Sequence, residues 1–202
     1  MDYDNSLRPL AATILLALYL PVPFYLLWLH GLNRLWRRIG TASYFFLLTP
    51  YVALVLAIIR AHAVWNWRAD GWPLALAWLS VIPLGLAGWL AFHTYKTIEP
   101  ATLHLHRQIK PSPGRVLITS GVLGRIRHPR YVMFTLLAVA NVLATGYPLV
   151  AVSLGVTVLL LLVTIRLEER ELQEYFGNAF SDYKKSVPAF IPRPSRGRRG
   201  AV

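Results

Sequence analysis

The chain has 202 residues, of which 55% are hydrophobic and only 15% are charged, and it contains no cysteine. The lack of cysteine excludes disulfides and thiolate metal sites, and the composition argues against the one or two soluble domains that the length would otherwise suggest. The formal net charge is +12, but no basic segment has the pattern of a nucleic-acid-binding fold, so we expect no nucleic-acid partner.

The apolar residues come in five blocks that carry almost no charge. A helix needs about 17–25 apolar residues to span a bilayer, and three of the blocks reach that length or nearly so. We therefore predict an all-α integral membrane protein with about five transmembrane helices, the second and fourth being short. In chain order the blocks occupy residues 10–29, 44–59, 72–92, 131–145 and 147–165.

The basic residues are divided unequally between the two sides of these predicted helices. Of the 21 lysines and arginines, 18 lie on one side, because only Arg8, Arg60 and Arg68 fall on the other. The positive-inside rule then places the C-terminal tail in the cytoplasm and the N-terminus outside. We expect a multi-pass protein of the inner or cell membrane, with its basic tail against anionic lipid.

Local signals predict how the helices are interrupted and joined. Pro21 and Pro23 predict a kink in the first helix. The sequence Thr-Gly-Tyr-Pro at 145–148 predicts a tight hairpin between the last two helices. The last helix continues beyond residue 165 into polar sequence, with Gly177 as its C-cap.

The longest polar segment runs from residue 94 to residue 130. It contains too much proline and glycine for one helix, and loops of this length are usually functional or disordered. Its apolar piece RVLITSGVL argues against simple disorder. His104 and His106 form an H-x-H pair in this segment, but no further ligands stand at metal-binding spacing, so we predict no metal site.

Two polar clusters flank the predicted hairpin. Because its arms are antiparallel, both clusters come to one end, where we predict that they meet at the membrane surface. Carboxylates there could hold an ammonium group, and arginine or histidine a carboxylate. Alternatively, the clusters bind lipid headgroups, or pair locally as Arg166–Glu169 and Arg170–Glu174 would. The first cluster is Arg125, Arg127, His128, Arg130 and Tyr131, and the second is Arg166, Glu168, Glu169, Arg170 and Glu171.

The C-terminal half also resembles a known family. LITSGVLGRIRHPRYV, residues 117–132, resembles the L-V-T-S-G-x-Y-x-x-x-R-H-P-x-Y-x-G segment of isoprenylcysteine carboxyl methyltransferases. EERELQEYFGNAFSDYKKSVPAFIP, residues 168–192, is similar to their E-E-x-x-L-x-x-x-F-G ending. Phospholipid N-methyltransferases share the paired glutamates. The resemblance implies a membrane methyltransferase that uses S-adenosyl-L-methionine. Its acceptor would be a small amphiphile or lipid entering from the bilayer, methylated at a carboxylate, thiol or amine.

Carried over by position, the resemblance implies two groups of site residues. Arg127 and Glu169 would be catalytic, Arg127 facing the acceptor and Glu169 removing a proton from an ammonium acceptor. The implied cofactor contacts are Gln108, Arg115, Val116, Leu117, Ile118, Leu123, His128, Pro129, Arg130, Tyr131 and Glu168.

We expect one domain, in which residues 1–93 form three helices and residues 94–202 form a cytoplasmic cofactor-binding cap, the helical hairpin and the tail.

The sequence departs from the family pattern in places that bear on the substrate. Leu123 stands where the family has tyrosine. Thr164 aligns with an arginine thought to meet the substrate carboxylate, and Arg166 cannot share its helix face, which argues against prenylcysteine as acceptor. Two other functions stay open, a sterol-reductase-like membrane oxidoreductase using NADPH and a non-enzymatic membrane scaffold. The sequence does not indicate an oligomeric state.

Overall fold

The computed structural model describes residues 4–61, 77–97 and 116–192, and within these ranges the chain is helical and forms no strand. The all-α prediction is therefore confirmed. The helices with defined limits are α1 Asp4–Tyr19, α2 Pro21–Gly31, α3 Asn33–Ile39, α4 Ser43–Ala61, α5 Val81–Thr97, α6 Pro129–Thr145, α7 Pro148–Phe176 and α8 Asn178–Ser186. Short 3₁₀ turns lie at Gly40–Ala42, Trp78–Ser80 and Gly121–Gly124.

Three helical stretches in the described ranges are long and apolar enough to cross a membrane: Pro9–Gly31, Asn33–Ala61 and Pro148–Phe176. Large apolar side chains stay exposed on outward helix faces, for example Phe45 and Leu48 on α4. Such exposure fits a surface that is covered by lipid. The protein is an integral membrane protein. The count of five transmembrane helices stays a prediction, because these three stretches are the spanning candidates of the described ranges, and the apolar helix α6 is shorter than they are.

The first apolar stretch is interrupted at its prolines, as the sequence predicts. Helix α1 ends at Tyr19 and α2 begins at Pro21. Leu20 between them still donates its N–H to the carbonyl oxygen of Leu16 at 2.9 Å. Proline has no N–H to continue the backbone hydrogen bonds of the helix. The first apolar stretch is therefore divided into α1 and α2.

Helices α6 and α7 form the predicted hairpin. Gly146 has a φ of 70° and donates its N–H to Val142 O at 2.8 Å, which ends α6. Glycine suits this left-handed conformation, and Pro148 suits the first turn of α7. The antiparallel arms bring the start of α6 beside the part of α7 beyond Ile165, where the apolar sequence ends. We call this the polar end of the bundle.

Helix α7 is held on two sides at the polar end. It packs against α6 and against α2, while α6 also packs against α1 and α5. The residues of α7 beyond Ile165 therefore have two faces, one toward α6 and α8 and the other toward α2 and α3. The buried apolar cluster that joins α2, α6 and α7 here consists of Leu26, Tyr131, Leu161 and Ile165.

Helix α8 turns back against the end of α7. Gly177 has a φ of 54° and donates its N–H to Gln173 O at 3.0 Å, so the predicted C-cap is confirmed. This glycine-dependent turn lets α8 bury one apolar face instead of continuing α7 into water. The contacts place Phe180, Tyr183 and Val187 against Leu117, Leu172 and Phe176.

Candidate active site

The two polar clusters meet at the polar end, which confirms their predicted juxtaposition. The backbone that precedes α6 is fixed by the segment that follows α8. Arg127 donates its N–H to Pro188 O at 2.9 Å, and His128 donates its N–H to Ala189 O at 3.1 Å. His128 then takes the N-cap position of α6. The R-H-P-x-Y motif, which begins at Arg127, is thus positioned by a segment about 60 residues further along the chain.

The first group of contacts centres on Glu169. Its Oε1 accepts hydrogen bonds from Arg127 Nε at 3.1 Å and Arg127 Nη2 at 2.9 Å, and lies 3.0 Å from His128 Nε2. Its Oε2 accepts from Lys184 Nζ at 2.6 Å. We call Arg127, His128, Glu169 and Lys184 the Glu169 network. It joins α7 and α8 to the entry of α6.

The Glu169 network leaves its members little capacity for other partners. Arg127 also donates to the backbone oxygens of Lys184, at 3.0 Å, and of Val187, and its side chain is only 9% exposed. Hydrogen bonds from His128, Lys184 and Arg127 outweigh burial and hold the pKa of the Glu169 carboxyl well below its usual range. Glu169 is therefore a weak proton acceptor, and Arg127 is occupied by structural contacts.

Glu168 makes a second, more open group of contacts. Its Oε2 accepts a hydrogen bond from the Tyr131 hydroxyl at 2.5 Å, and lies 3.8 Å from His128 Nδ1. Its Oε1 lies 3.8 Å from Arg130 Nη2. The Arg130 guanidinium lies 5.4 Å from the centre of the Tyr131 ring. The side chains of Glu168 and Arg130 are 21% and 25% exposed, so both can reach a further ligand.

The charge state of Glu168 follows from its neighbours. Burial raises the pKa of Glu168, but electrostatic interactions with His30, Arg130 and His128 and the hydrogen bond from Tyr131 lower it to about 2. Glu168 is therefore a carboxylate at neutral pH. Together with Arg130 it presents one negative and one positive group on neighbouring helices.

An apolar cavity of about 310 Å³ lies between α6 and α7 and reaches Tyr131. The segment after α8 closes its polar end, where the Phe190 and His128 rings lie 6.3 Å apart. The cavity therefore runs along the hairpin and ends beside the Glu168 contacts. It is lined by Tyr131, Val132, Thr135, Leu136, Val158, Leu161, Leu162, Ile165, Phe190 and Ile191.

The structure brings some of the predicted cofactor contacts together and places others elsewhere. It brings His128, Arg130, Tyr131 and Glu168 together, with Pro129 as the first residue of α6. Val116 is exposed, and Ile118 is half-buried. Leu117 packs against α8, and Leu123 packs with residues of α5 and α6. Gln108 and Arg115 lie outside the described residues. The cofactor-binding role of all these residues stays a prediction.

Leu123 has a structural role that the sequence did not indicate. Its carbonyl oxygen accepts a hydrogen bond from the Tyr183 hydroxyl at 2.7 Å. Burial raises the pKa of Tyr183 to about 12, against the opposite effect of the nearby Arg127 charge. The phenol therefore stays protonated at neutral pH and ties α8 to the turn before α6.

Lys184, Phe190 and Ile191 are site residues that the sequence reasoning missed. They belong to the C-terminal motif at residues 168–192, but nothing in its spacing shows that Lys184 returns to Glu169 after the turn at Gly177.

Thr164 is fully buried, and its hydroxyl donates to Leu160 O at 2.8 Å. Arg166 is exposed, so the prediction that these two residues do not share a face is confirmed.

Comparison with known proteins identifies the family. The family model for phospholipid methyltransferases matches residues 75–179, just over half of the chain. The chain belongs to this family. The match includes Arg127, His128 and Glu169 of the Glu169 network, together with Arg130, Tyr131 and Glu168. The family resemblance drawn from the R-H-P-x-Y motif and the paired glutamates is thereby confirmed.

Two curated relatives have names that state an activity. The chain is 29% identical over 159 residues to methanethiol S-methyltransferase 2 of Bradyrhizobium diazoefficiens, covering 72% of this chain and 60% of that protein. It is 33% identical over 85 residues to protein-S-isoprenylcysteine O-methyltransferase of Schizosaccharomyces pombe, covering 41% and 36%. The chain thus spans less than two thirds of the length of either relative. No solved structure matches the chain.

Proposed function

We propose that the protein transfers a methyl group from S-adenosyl-L-methionine to the thiol or carboxylate of a small amphiphilic or lipid acceptor. The observation that carries this proposal is that Tyr131 lines the apolar cavity and donates a hydrogen bond to Glu168, which lies 3.8 Å from Arg130. A charged cofactor and an apolar acceptor could meet only where such groups adjoin each other.

The residues present fit the amino-acid part of the cofactor. Its ammonium group needs a carboxylate, which Glu168 supplies, and its carboxylate needs a cation, which Arg130 supplies. Both side chains are partly exposed and lie 3.8 Å apart, so a ligand with both charges could bridge them. When bound, the cofactor supplies a methyl group that is already activated on a sulfonium. The task of Arg130, Tyr131 and Glu168 is then to position it.

The two carboxylates of the described site are poor bases, which bears on the identity of the acceptor atom. An ammonium acceptor must lose a proton to a base before methylation. A carboxylate is already ionised at neutral pH, and a thiol reacts as the fraction present as thiolate, whose proton has passed to water. Glu168 and Glu169 both have lowered pKa values, which makes them weak bases at neutral pH. A thiol or carboxylate acceptor also agrees with the names of the relatives, one an S-methyltransferase and the other an O-methyltransferase.

This geometry changes the roles that we propose for Arg127 and Glu169. The resemblance implies that Arg127 faces the acceptor and that Glu169 removes a proton. In the structure, Arg127 and Glu169 bind each other and α8. We propose that they are positioning residues, which hold the entry of α6 and the end of α7 in place so that Arg130 and Glu168 face one ligand.

The acceptor is proposed to enter from the bilayer through the cavity between α6 and α7. Its lining is almost entirely apolar, which suits an alkyl chain better than a water-soluble substrate. Each buried methylene contributes about 0.8 kcal/mol, or roughly fourfold in the specificity constant. The charge asymmetry of the chain would place the polar end in the cytoplasm, where the cofactor is available.

Calorimetry of the protein in nanodiscs would test the cofactor assignment. Glu168→Gln and Arg130→Gln should each weaken S-adenosyl-L-methionine binding about tenfold to a hundredfold, because each removes a charge-assisted hydrogen bond. His128→Ala should also weaken it, and Glu174→Gln, outside the cavity, should leave it unchanged. Unchanged affinity in the first two variants would refute the assignment. Binding of NADPH in place of S-adenosyl-L-methionine would favour a reductase.

A matched series of acceptors would test the rest of the proposal. Thiols, carboxylic acids and amines of short and long chain length would be incubated with protein and cofactor labelled in the methyl group. The specificity constants of the thiols or acids should rise with chain length. Equal constants for short and long members would contradict entry from the bilayer, and a preference for amines would contradict the proposed acceptor atom.

A further inference from the structure

A second cavity lies on the other face of α7, away from the Glu169 network. It is a groove of about 770 Å³ at the polar end, formed by the end of α2, by α3 and by α7 beyond Ile165. We call it the arginine groove. We propose that it binds the phosphate of an anionic phospholipid headgroup. Its charged lining consists of Arg34, Arg37, Arg38, Arg170, Glu171 and Glu174.

The charges of the arginine groove favour an anion. Four arginines face two glutamates, and Arg34 and Glu174 form an exposed pair with an N–O distance of 3.6 Å. Among the residues that the structure describes, no carboxylate lies within ion-pair distance of Arg37, Arg38 or Arg170. The guanidinium fork matches the oxygens of a phosphate in two parallel hydrogen bonds. The groove therefore offers three arginines to a phosphate group.

His30 provides an independent sign of a ligand. Its side chain is only 1% exposed, and its Nδ1 lies 3.1 Å from Glu171 Oε1. Its Nε2 is buried without a hydrogen-bond partner in the described part of the chain. Buried polar atoms without partners are rare in native proteins. His30 also lines the groove, so a phosphate oxygen bound there could become the hydrogen-bond partner that Nε2 lacks.

The position of α3 favours a lipid as the source of the phosphate. Helix α3 begins the second membrane-crossing stretch, directly after the first one ends at Gly31. Leu32, Leu35 and Ile39 are exposed beside its arginines, as expected for a helix between headgroups and acyl chains. Trp36 anchors α3, because its side chain is buried and its Nε1 donates to Trp28 O at 3.0 Å.

The test compares lipids and charge-matched variants of the full chain in detergent micelles. Native mass spectrometry would measure binding of phosphatidylglycerol and phosphatidylcholine. The unaltered protein should bind phosphatidylglycerol at least tenfold more tightly. Arg37→Gln/Arg170→Gln should lose most of this preference. Arg125→Gln/Arg166→Gln is the matched control, since it removes two exposed arginines of the polar end that do not line the groove.

A second variant keeps the test decisive if the double variant does not fold. His30→Asn keeps a donor near the position of Nδ1 and removes Nε2, so it should weaken phosphatidylglycerol but not phosphatidylcholine binding. Equal losses in both double variants would overturn the proposal in favour of general charge attraction. Inorganic phosphate that displaces the lipid at equal concentration would overturn the lipid source. Neither outcome depends on methyl transfer.

Discussion

The polar part of α7 has two faces that carry the same residue types in opposite environments. On the face toward α6 and α8, Glu169 is 12% exposed and contacts the side chains of Arg127, His128 and Lys184. On the face toward α3, Glu174 is 69% exposed and lies 3.6 Å from Arg34. The comparison shows that the packed neighbour, and not the carboxylate, decides whether a charge is locked into the structure or left available to a ligand.

Removing a carboxylate from each face should give the largest contrast. Glu169→Ala should lower the free energy of unfolding by about 4 kcal/mol, because the buried Arg127 would lose its counter-charge. Glu174→Ala should lower it by less than about 0.5 kcal/mol. Denaturant unfolding in micelles would measure both. Similar losses in the two variants would contradict the distinction between the faces.

Acid should next weaken the face of α7 toward α6, where Glu168 lies. A carboxyl group with a lowered pKa stabilises the fold above its unfolded pKa, and this contribution is lost as the pH falls through its folded pKa. For Glu168 these limits are 4.5 and about 2. At about 1.4 kcal/mol for each pKa unit, the loss approaches about 3 kcal/mol.

A thermal melting series from pH 5 to pH 2 would check this. The melting temperature should fall throughout this range, and the fall should be smaller in Glu168→Gln than in the unaltered protein. Glu174→Gln should keep the full dependence. If Glu168→Gln and Glu174→Gln had identical pH profiles, Glu168 would not be the titrating group.

The loss of a neutral hydrogen bond between α8 and the turn before α6 should have a smaller effect on stability. Tyr183→Phe removes the bond from the Tyr183 hydroxyl to Leu123 O, and should lower the free energy of unfolding by about 1 kcal/mol. Tyr95→Phe, at an exposed tyrosine of α5, is the matched control and should change it by less than about 0.5 kcal/mol. Equal effects would mean that α8 is not held at this point.

The smallest effect on stability should come from a substitution on the face of α7 toward α3. Arg34→Gln removes an exposed ion pair, so the free energy of unfolding should change by less than about 0.5 kcal/mol. This difference should disappear at high salt, since exposed charges are screened. Denaturant unfolding at two salt concentrations would measure it. A loss above about 1 kcal/mol, retained at high salt, would show that the arginine groove is part of the packed core.

The sequence by itself determined the local features of this protein. The apolar blocks indicated membrane helices, Pro21 indicated the interruption, and the turn at 145–148 indicated the hairpin. The meeting of the two polar clusters followed because antiparallel arms joined by a short turn must bring their far ends together. Each of these inferences uses residues that are near in sequence or are related through one hairpin.

Only the tertiary structure decided the role of each charge. Glu168 and Glu169 are adjacent in sequence, yet Glu169 binds Lys184 of α8, whereas Glu168 accepts a hydrogen bond from Tyr131, which lines the cavity. His30 meets Glu171 across 141 residues, a separation that no local pattern reports. The physical reason is that periodicity reveals which face of a helix is apolar, whereas burial and hydrogen-bond partners depend on which distant segment packs against that face.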